Sequence, residues 1–222
     1  MGGFKTEANN VIFENWHVNF IISHLVKCSK QMKADCMNDN NPLKNHEDKI
    51  TNRLTAKYLN IGDNFFRYVP QLQEHYDEET DSYIGRIDIN VISADYFKGN
   101  AEAYYIIECK RIDGTTPLNK KYITQGVERF FSPAPQPKYS SYYRQNIMFG
   151  YVVQTVVIPN NADEIDRLQG ILLKGATASE FILKQSDAPQ CYVYKCEYVS
   201  ANIGQVELSH LFFDFADVIC KK

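Results

Sequence analysis

The chain carries little net charge, no long apolar run and no paired-cysteine motif. Its 24 Lys and Arg against 27 Asp and Glu leave a formal charge of −3. No global field therefore draws it to a polyanion, and any grip on nucleic acid must come from a local basic patch or from metal ions. The longest apolar stretch, residues 20–26, is broken by Ser23 and His24 and falls far short of the ~18 residues that span a bilayer. With no secretory signal visible, a soluble protein without membrane contact is expected. The six cysteines form no Cys-x-x-Cys and no histidines pair at zinc-ligand spacing. Reduced, buried thiols follow, which fits a cytoplasmic setting. Also missing are the Gly-x-Ser-x-Gly elbow of serine hydrolases, the two glycine-rich nucleotide-binding loops and any internal repeat.

What is present is a core-forming composition and one chemically loaded stretch. With 222 residues, 44% of them hydrophobic, the chain can bury a core, most simply as one domain over residues 1–222. Residues 84–114 read as two strands. Alternation over residues 86–92 puts Ile87, Ile89 and Val91 on one face and Arg86, Asp88 and Asn90 on the other. Residues 104–112 are aromatic and β-branched, with Glu108 and Lys110 sharing a face and Cys109 pointing away. A turn centred on Gly99, within Lys98-Gly99-Asn100, sets Asp88 opposite Lys110 and diagonal to Glu108, roughly 5–8 Å away. Two carboxylates and an ammonium on one face suit a hard-cation site better than a core.

These residues resemble the PD-(D/E)xK nuclease superfamily, whose signature is an acid on one strand and Glu-x-Lys or Asp-x-Lys on the next. Here the match is Asp88 with Glu108-Cys109-Lys110; Ile87 stands where a proline usually precedes the first acid. The resemblance implies an α/β restriction-endonuclease-like αβββαβ core over about residues 41–158, a central mixed sheet flanked by helices. To it are added an N-terminal helix, over about residues 11–35, and a C-terminal helix plus β-hairpin. It implies Mg²⁺ or Mn²⁺ held by Asp88, Glu108, the Cys109 carbonyl and Glu47, with Lys110 beside the attacking water. The activity implied is hydrolysis of nucleic acid, DNA ahead of RNA, in a restriction, defence or repair setting, with a homodimer or partner subunit setting the target. The alternative on the same fold is a catalytically inactive nucleic-acid-binding or protein-interaction module.

The remaining segments are read in order. Residues 13–30 carry Phe13, Trp16, Phe20, Ile21, Leu25 and Cys28 at helical spacing, and residues 33–45 read as a polar loop. Asn41 as N-cap, Pro42 at the first turn and Gly62 as the stop predict a second helix with stripe Leu43, Ile50, Leu54 and Tyr58. Glu47 falls on that stripe, which points it at the site. Residues 65–73 read as a strand, and the acids Glu74, Asp77, Glu78 and Glu79 as a solvated turn. Residues 120–131 read as a helix with Ile123, Val127, Phe130 and Phe131 buried. Some superfamily branches carry a glutamine on this helix and a tyrosine four residues on, contacting the site or the nucleic acid; here Gln125 is present as such a contact but Arg129 replaces the tyrosine. Arg129, Lys120 and Lys121 are candidate phosphate contacts. Residues 132–138 are proline-rich and extended. The run 139–145 interleaves tyrosines with Arg144, suiting a loop that grips nucleic acid. Residues 147–158 read as a strand, Asn161 as the cap of a helix with Ile165, Leu168, Ile171 and Leu172 on one face, and residues 190–199 and 205–215 as a hairpin containing a structural His210.

Overall fold

The computed structural model describes residues 6–62, 65–93, 103–131, 139 and 143–220. The turn at Lys98-Gly99-Asn100, the proline-rich segment 132–138, residues 140–142 of the aromatic run and the side chain of Phe13 lie outside the described residues. The chain is α/β, with one large mixed sheet between helices. Helices α1 (Thr6–Asn38) and α2 (Glu47–Leu54) precede three strands, β1 (Arg67–Asp77), β2 (Ser82–Ile92) and β3 (Tyr104–Ile112). Then come α3 (Thr116–Thr124), β4 (Gln145–Val152), α4 (Ile158–Leu172) and strands β5 (Thr177–Ala178), β6 (Ile182–Asp187), β7 (Cys191–Ser200) and β8 (Gly204–Asp214).

The sheet runs β1-β2-β3-β4-β8-β7-β5, with β6 also on β7. Strands β1, β2 and β3 are antiparallel neighbours, while β3-β4 and β4-β8 are parallel. Central strands β3 and β4 are buried on both faces, which suits their aromatic and aliphatic residues and leaves Glu108 and Lys110 of β3 as buried charges. One face packs under α1 and α2 through Ile21, Leu25, Ile50, Leu54, Ile107, Phe149 and Phe213. The other packs under α3 and α4 through Tyr122, Ile123, Ile165, Ile106, Met148 and Phe212. Five of the six cysteines are buried and all six are free thiols. No described helix is long and apolar enough to cross a membrane.

Several sequence expectations shift. Helix α1 continues through residues 33–38, because Met32 and Cys36 extend its buried stripe, and Trp16 and Phe20 lie exposed beside it. Helix α2 starts at Glu47, not after Asn41: Leu43 instead forms a parallel bridge with Ile219, its N–H on Val218 O at 2.7 Å and its carbonyl accepting from Cys220 N at 2.8 Å. The helical run ends at Leu59 with Asn60 as its C-cap at φ −103°, so Gly62, left-handed at φ 90°, lies two residues past the stop rather than forming it. Glu74 belongs to β1, buried and accepting a hydrogen bond from Tyr104 Oη, rather than to a solvated turn. Strand β4 ends at Val152, and Asn161 lies inside α4, paired with Asn119 across the α3–α4 contact at 2.8 Å. Ile171 faces solvent. The C-terminal hairpin forms as expected, with His210 buried between the hydroxyls of Tyr122 and Tyr198, each at 2.9 Å.

Candidate functional site

The site forms where β2 and β3 part. Their pairing runs from Ile92↔Tyr104 to Ile89↔Ile107; one step further, Asp88 faces Glu108, so the register expected from a turn at Gly99 is corrected by two residues. The backbone pairing stops there, and the next amide, Cys109 N–H, donates to Asp88 Oδ2 at 2.8 Å. A side-chain carboxylate thus replaces a strand carbonyl as acceptor. Beyond this point Ile87 joins the core under α3, whereas Ile89 and Val91 pack under α1, so the strict alternation does not survive the parting.

Lys110 sits at the centre. Its Nζ donates to Glu108 Oε1 at 2.7 Å, the Cys109 carbonyl at 2.8 Å and Glu47 Oε1 at 3.1 Å, and lies 3.7 Å from Asp88 Oδ2. Glu47 reaches this point from the first turn of α2 and accepts the Arg111 N–H at 3.2 Å. Arg111 in turn ties its guanidinium to Asn45 at 2.8 and 3.0 Å. Glu108 is fully buried; its Oε1 also accepts Arg129 Nη1 at 2.6 Å, and its Oε2 accepts the Tyr139 hydroxyl. The Arg129 guanidinium lies over the Tyr139 ring, 5.5 Å from its centroid. Cys109 points to the opposite face, where its Sγ accepts from Tyr151 Oη at 3.0 Å.

Three carboxylates meet two cations, an excess of one negative charge. Burial and then Glu108 raise the Asp88 carboxyl to about 6, which Lys110 offsets only in part. Burial alone would lower Lys110, but Glu108, Asp88 and Glu47 outweigh it and hold the ammonium above its ordinary range. Burial likewise opposes the charge on Arg129, and Glu108 restores it and raises its pKa. Among the described residues no three His, Cys, Asp or Glu side chains stand ready around a common metal position. The Lys110 ammonium gathers oxygens of Glu108, the Cys109 carbonyl, Glu47 and Asp88 into one small region. That all-oxygen set fits Mg²⁺ or Mn²⁺ chemistry.

A cleft of about 460 Å³ opens over this centre, lined by Glu47, Lys110, Arg111, Lys121, Gln125 and Arg129 among others. Of the predicted contacts, Lys121, Gln125 and Arg129 reach it. Lys120 is exposed and not part of the lining. Arg144 lies just before β4, its N–H on Glu14 Oε2 at 3.2 Å. Six residues separate it from Gly150, the partner of Lys110, which is roughly 20 Å along the strand. The expected single helix over residues 120–131 is broken: α3 ends at Thr124, Gln125 is its C-cap, and Arg129 sits on a separate 3₁₀ turn, Val127–Phe130. Gly126 occupies the break, and only a residue without a side chain fits there, since a Cβ would come 2.3 Å from Tyr122 O and 2.6 Å from Met148 Cε. The break turns Arg129 onto Glu108. Tyr139 and Arg111 escaped sequence reasoning as members of the site; the aromatic-basic run around Tyr139 marked the region without singling it out. A scan against protein-family models, a search of curated proteins and a search of solved structures each return no match.

Proposed function

We propose that this chain is a metal-dependent nuclease of the PD-(D/E)xK kind that hydrolyses phosphodiester bonds. The observation carrying the reading is the shell of four oxygens around Lys110 Nζ, supplied by Glu108, Cys109, Glu47 and Asp88. Support also comes from the element order, in which α2 precedes the antiparallel β1-β2-β3 and α3 leads to the parallel β4; this agrees with the restriction-endonuclease-like core.

Asp88, Glu108 and the Cys109 carbonyl, with Glu47, would hold Mg²⁺ or Mn²⁺. When bound, such an ion activates a water and neutralises charge on the scissile phosphate. The chain's own residues do the rest. Lys110, kept protonated by its carboxylates, holds a positive charge beside the reacting phosphate and stabilises negative charge developing on it. Cys109 N–H fixes Asp88 Oδ2, and Arg111 N–H fixes Glu47 Oε2, so both carboxylates are oriented before substrate arrives. Lys121 and Gln125 on the cleft wall give the backbone phosphates a cation and an amide donor. DNA is the favoured substrate over RNA, the free cysteines suit a cytoplasmic restriction, defence or repair role, and a homodimer or partner subunit would supply target choice.

A second reading has its own observation. Glu108 is already bonded by Lys110, Arg129 and Tyr139, as in a binding module that keeps its acids as a structural network. Plasmid, single-stranded DNA and RNA cleavage with Mg²⁺ or Mn²⁺ against EDTA separates the two. Metal-dependent cutting that Asp88→Ala and Lys110→Ala abolish, with circular dichroism unchanged, is the nuclease outcome. No cutting and no calorimetric binding of either ion would sink it.

A further inference from the structure

We propose that Arg129 is a displaceable counter-cation: its guanidinium neutralises Glu108 while the carboxylate cage is metal-free, and moves to a substrate phosphate when a divalent ion takes its oxygen. The inference rests on the nuclease reading and concerns how that site is loaded.

Both oxygens of fully buried Glu108 are engaged, Oε1 by Lys110 and Arg129 and Oε2 by Tyr139. A divalent ion gains Oε1 only as cationic donors withdraw, since like charges sharing one oxygen in a buried site repel strongly. Lys110 is held at its place by two further oxygens, on Cys109 and Glu47, and its side chain is 9% exposed. Arg129 is 21% exposed, lines the cleft and stands on the short turn that follows Gly126. Its guanidinium has five N–H groups in a planar fork matched to phosphate geometry, and the Tyr139 ring beneath gives it a surface to slide on. Exchanging Arg129 for a divalent ion, with Lys110 kept, takes the site from an excess of one negative charge to neutrality, three carboxylates against Lys110 and the ion.

The test is Mn²⁺ titration by calorimetry on the full chain, paired with cleavage assays, for wild type, Arg129→Ala and Arg129→Lys. Arg129→Ala is expected to bind Mn²⁺ at least about tenfold tighter, the equivalent of one charge-assisted hydrogen bond no longer competing, while cleaving more slowly. Arg129→Lys keeps a cation and is expected to bind Mn²⁺ near the wild-type affinity. A purely structural role for Arg129 would weaken binding and cleavage together. Equal or weaker Mn²⁺ binding by folded Arg129→Ala overturns the inference and leaves the nuclease reading standing. Absence of binding by all three proteins overturns both. Should Arg129→Ala fail to fold, Arg129→Gln, uncharged but still a donor to Glu108, decides the matter by the same criterion.

Discussion

Replacing Lys110 with methionine isolates the charge at the centre of the site, since the stem keeps its volume and only the ammonium is lost. The change leaves Asp88 and Glu108, with 5% and 0% of their side chains exposed, facing each other with Arg129 as the remaining cation. Removing one partner of a buried ion pair costs about 3–5 kcal/mol. In a domain of this size that lowers Tm by about 6–20 °C. The sign of the pH dependence follows from Asp88, whose carboxyl already stands near 6 through burial and Glu108. Without the ammonium it rises further, so protonation relieves the repulsion, and the deficit is expected to be smaller at pH 5 than at pH 8. Mn²⁺ should restore the variant more than wild type, because the vacated oxygens can take the ion; at a hundredfold excess over Kd the recovery is about 2.7 kcal/mol. Thermal unfolding by circular dichroism at both pH values, in EDTA and in Mn²⁺, reads all three effects. A Tm within about 2 °C of wild type in EDTA at pH 8, less than one kilocalorie for this size, refutes the reasoning. So does a deficit that grows on acidification.

Two further outcomes follow from the same geometry. The folded-state Asp88 carboxyl is raised to about 6 from an ordinary 3.8, so in that window the native protein binds more protons than the unfolded chain, and ionising Asp88 subtracts stability as pH rises. Divalent ions need the ionised form, so Mn²⁺ affinity should fall about tenfold per pH unit below 6; calorimetry giving a flat profile from pH 5 to 7 would contradict this. Gly126→Ala drives a Cβ against the Tyr122 carbonyl and the Met148 methyl and crowds the Lys110 stem at 3.3 Å. It should cost about 1–3 kcal/mol and slow cleavage by moving Arg129; unchanged Tm and rate would show that the turn can relax without it.

What could be read from sequence is mostly what local pattern dictates. Glu108 and Lys110 share a face because of period-two alternation in β3, Asp88 joins them through the β2–β3 pairing two residues off the expected register, and the hairpin 191–214 forms around Gly204 at φ 83°. Glu47 stood out as a charge on an apolar stripe, and it does reach Lys110 across 63 positions of sequence. The misses have tertiary causes. Leu43 left its helix because Val218 and Cys220, flanking its bridge partner Ile219 more than 170 positions away, offer it backbone partners. Glu74 looked solvated among neighbouring acids, yet strand alternation turns it inward to Tyr104. Strand β6 has every residue exposed, so no burial pattern marks it. Arg129 was placed on a helix that is interrupted around Gly126, a position with no room for a side chain beside the Tyr122 carbonyl and Met148, and local propensity carries no record of those neighbours.

The position of β8 bears on how the polypeptide is made. Strand β4 pairs with β3 on one side and, 62 residues later in sequence, with β8 on the other, Gln145 with Glu207 through Val152 with Asp214. During synthesis β4 therefore emerges with a buried-type apolar sequence and an open edge, and it stays open until the residues that lead to its β8 partner have followed it. Such an edge invites pairing with other nascent chains. Expression at lower temperature, or with holdase chaperones present, should raise the soluble fraction. Stalled products ending within β7 should be found in the insoluble fraction, because they lack β8, the strand that closes the centre of the sheet.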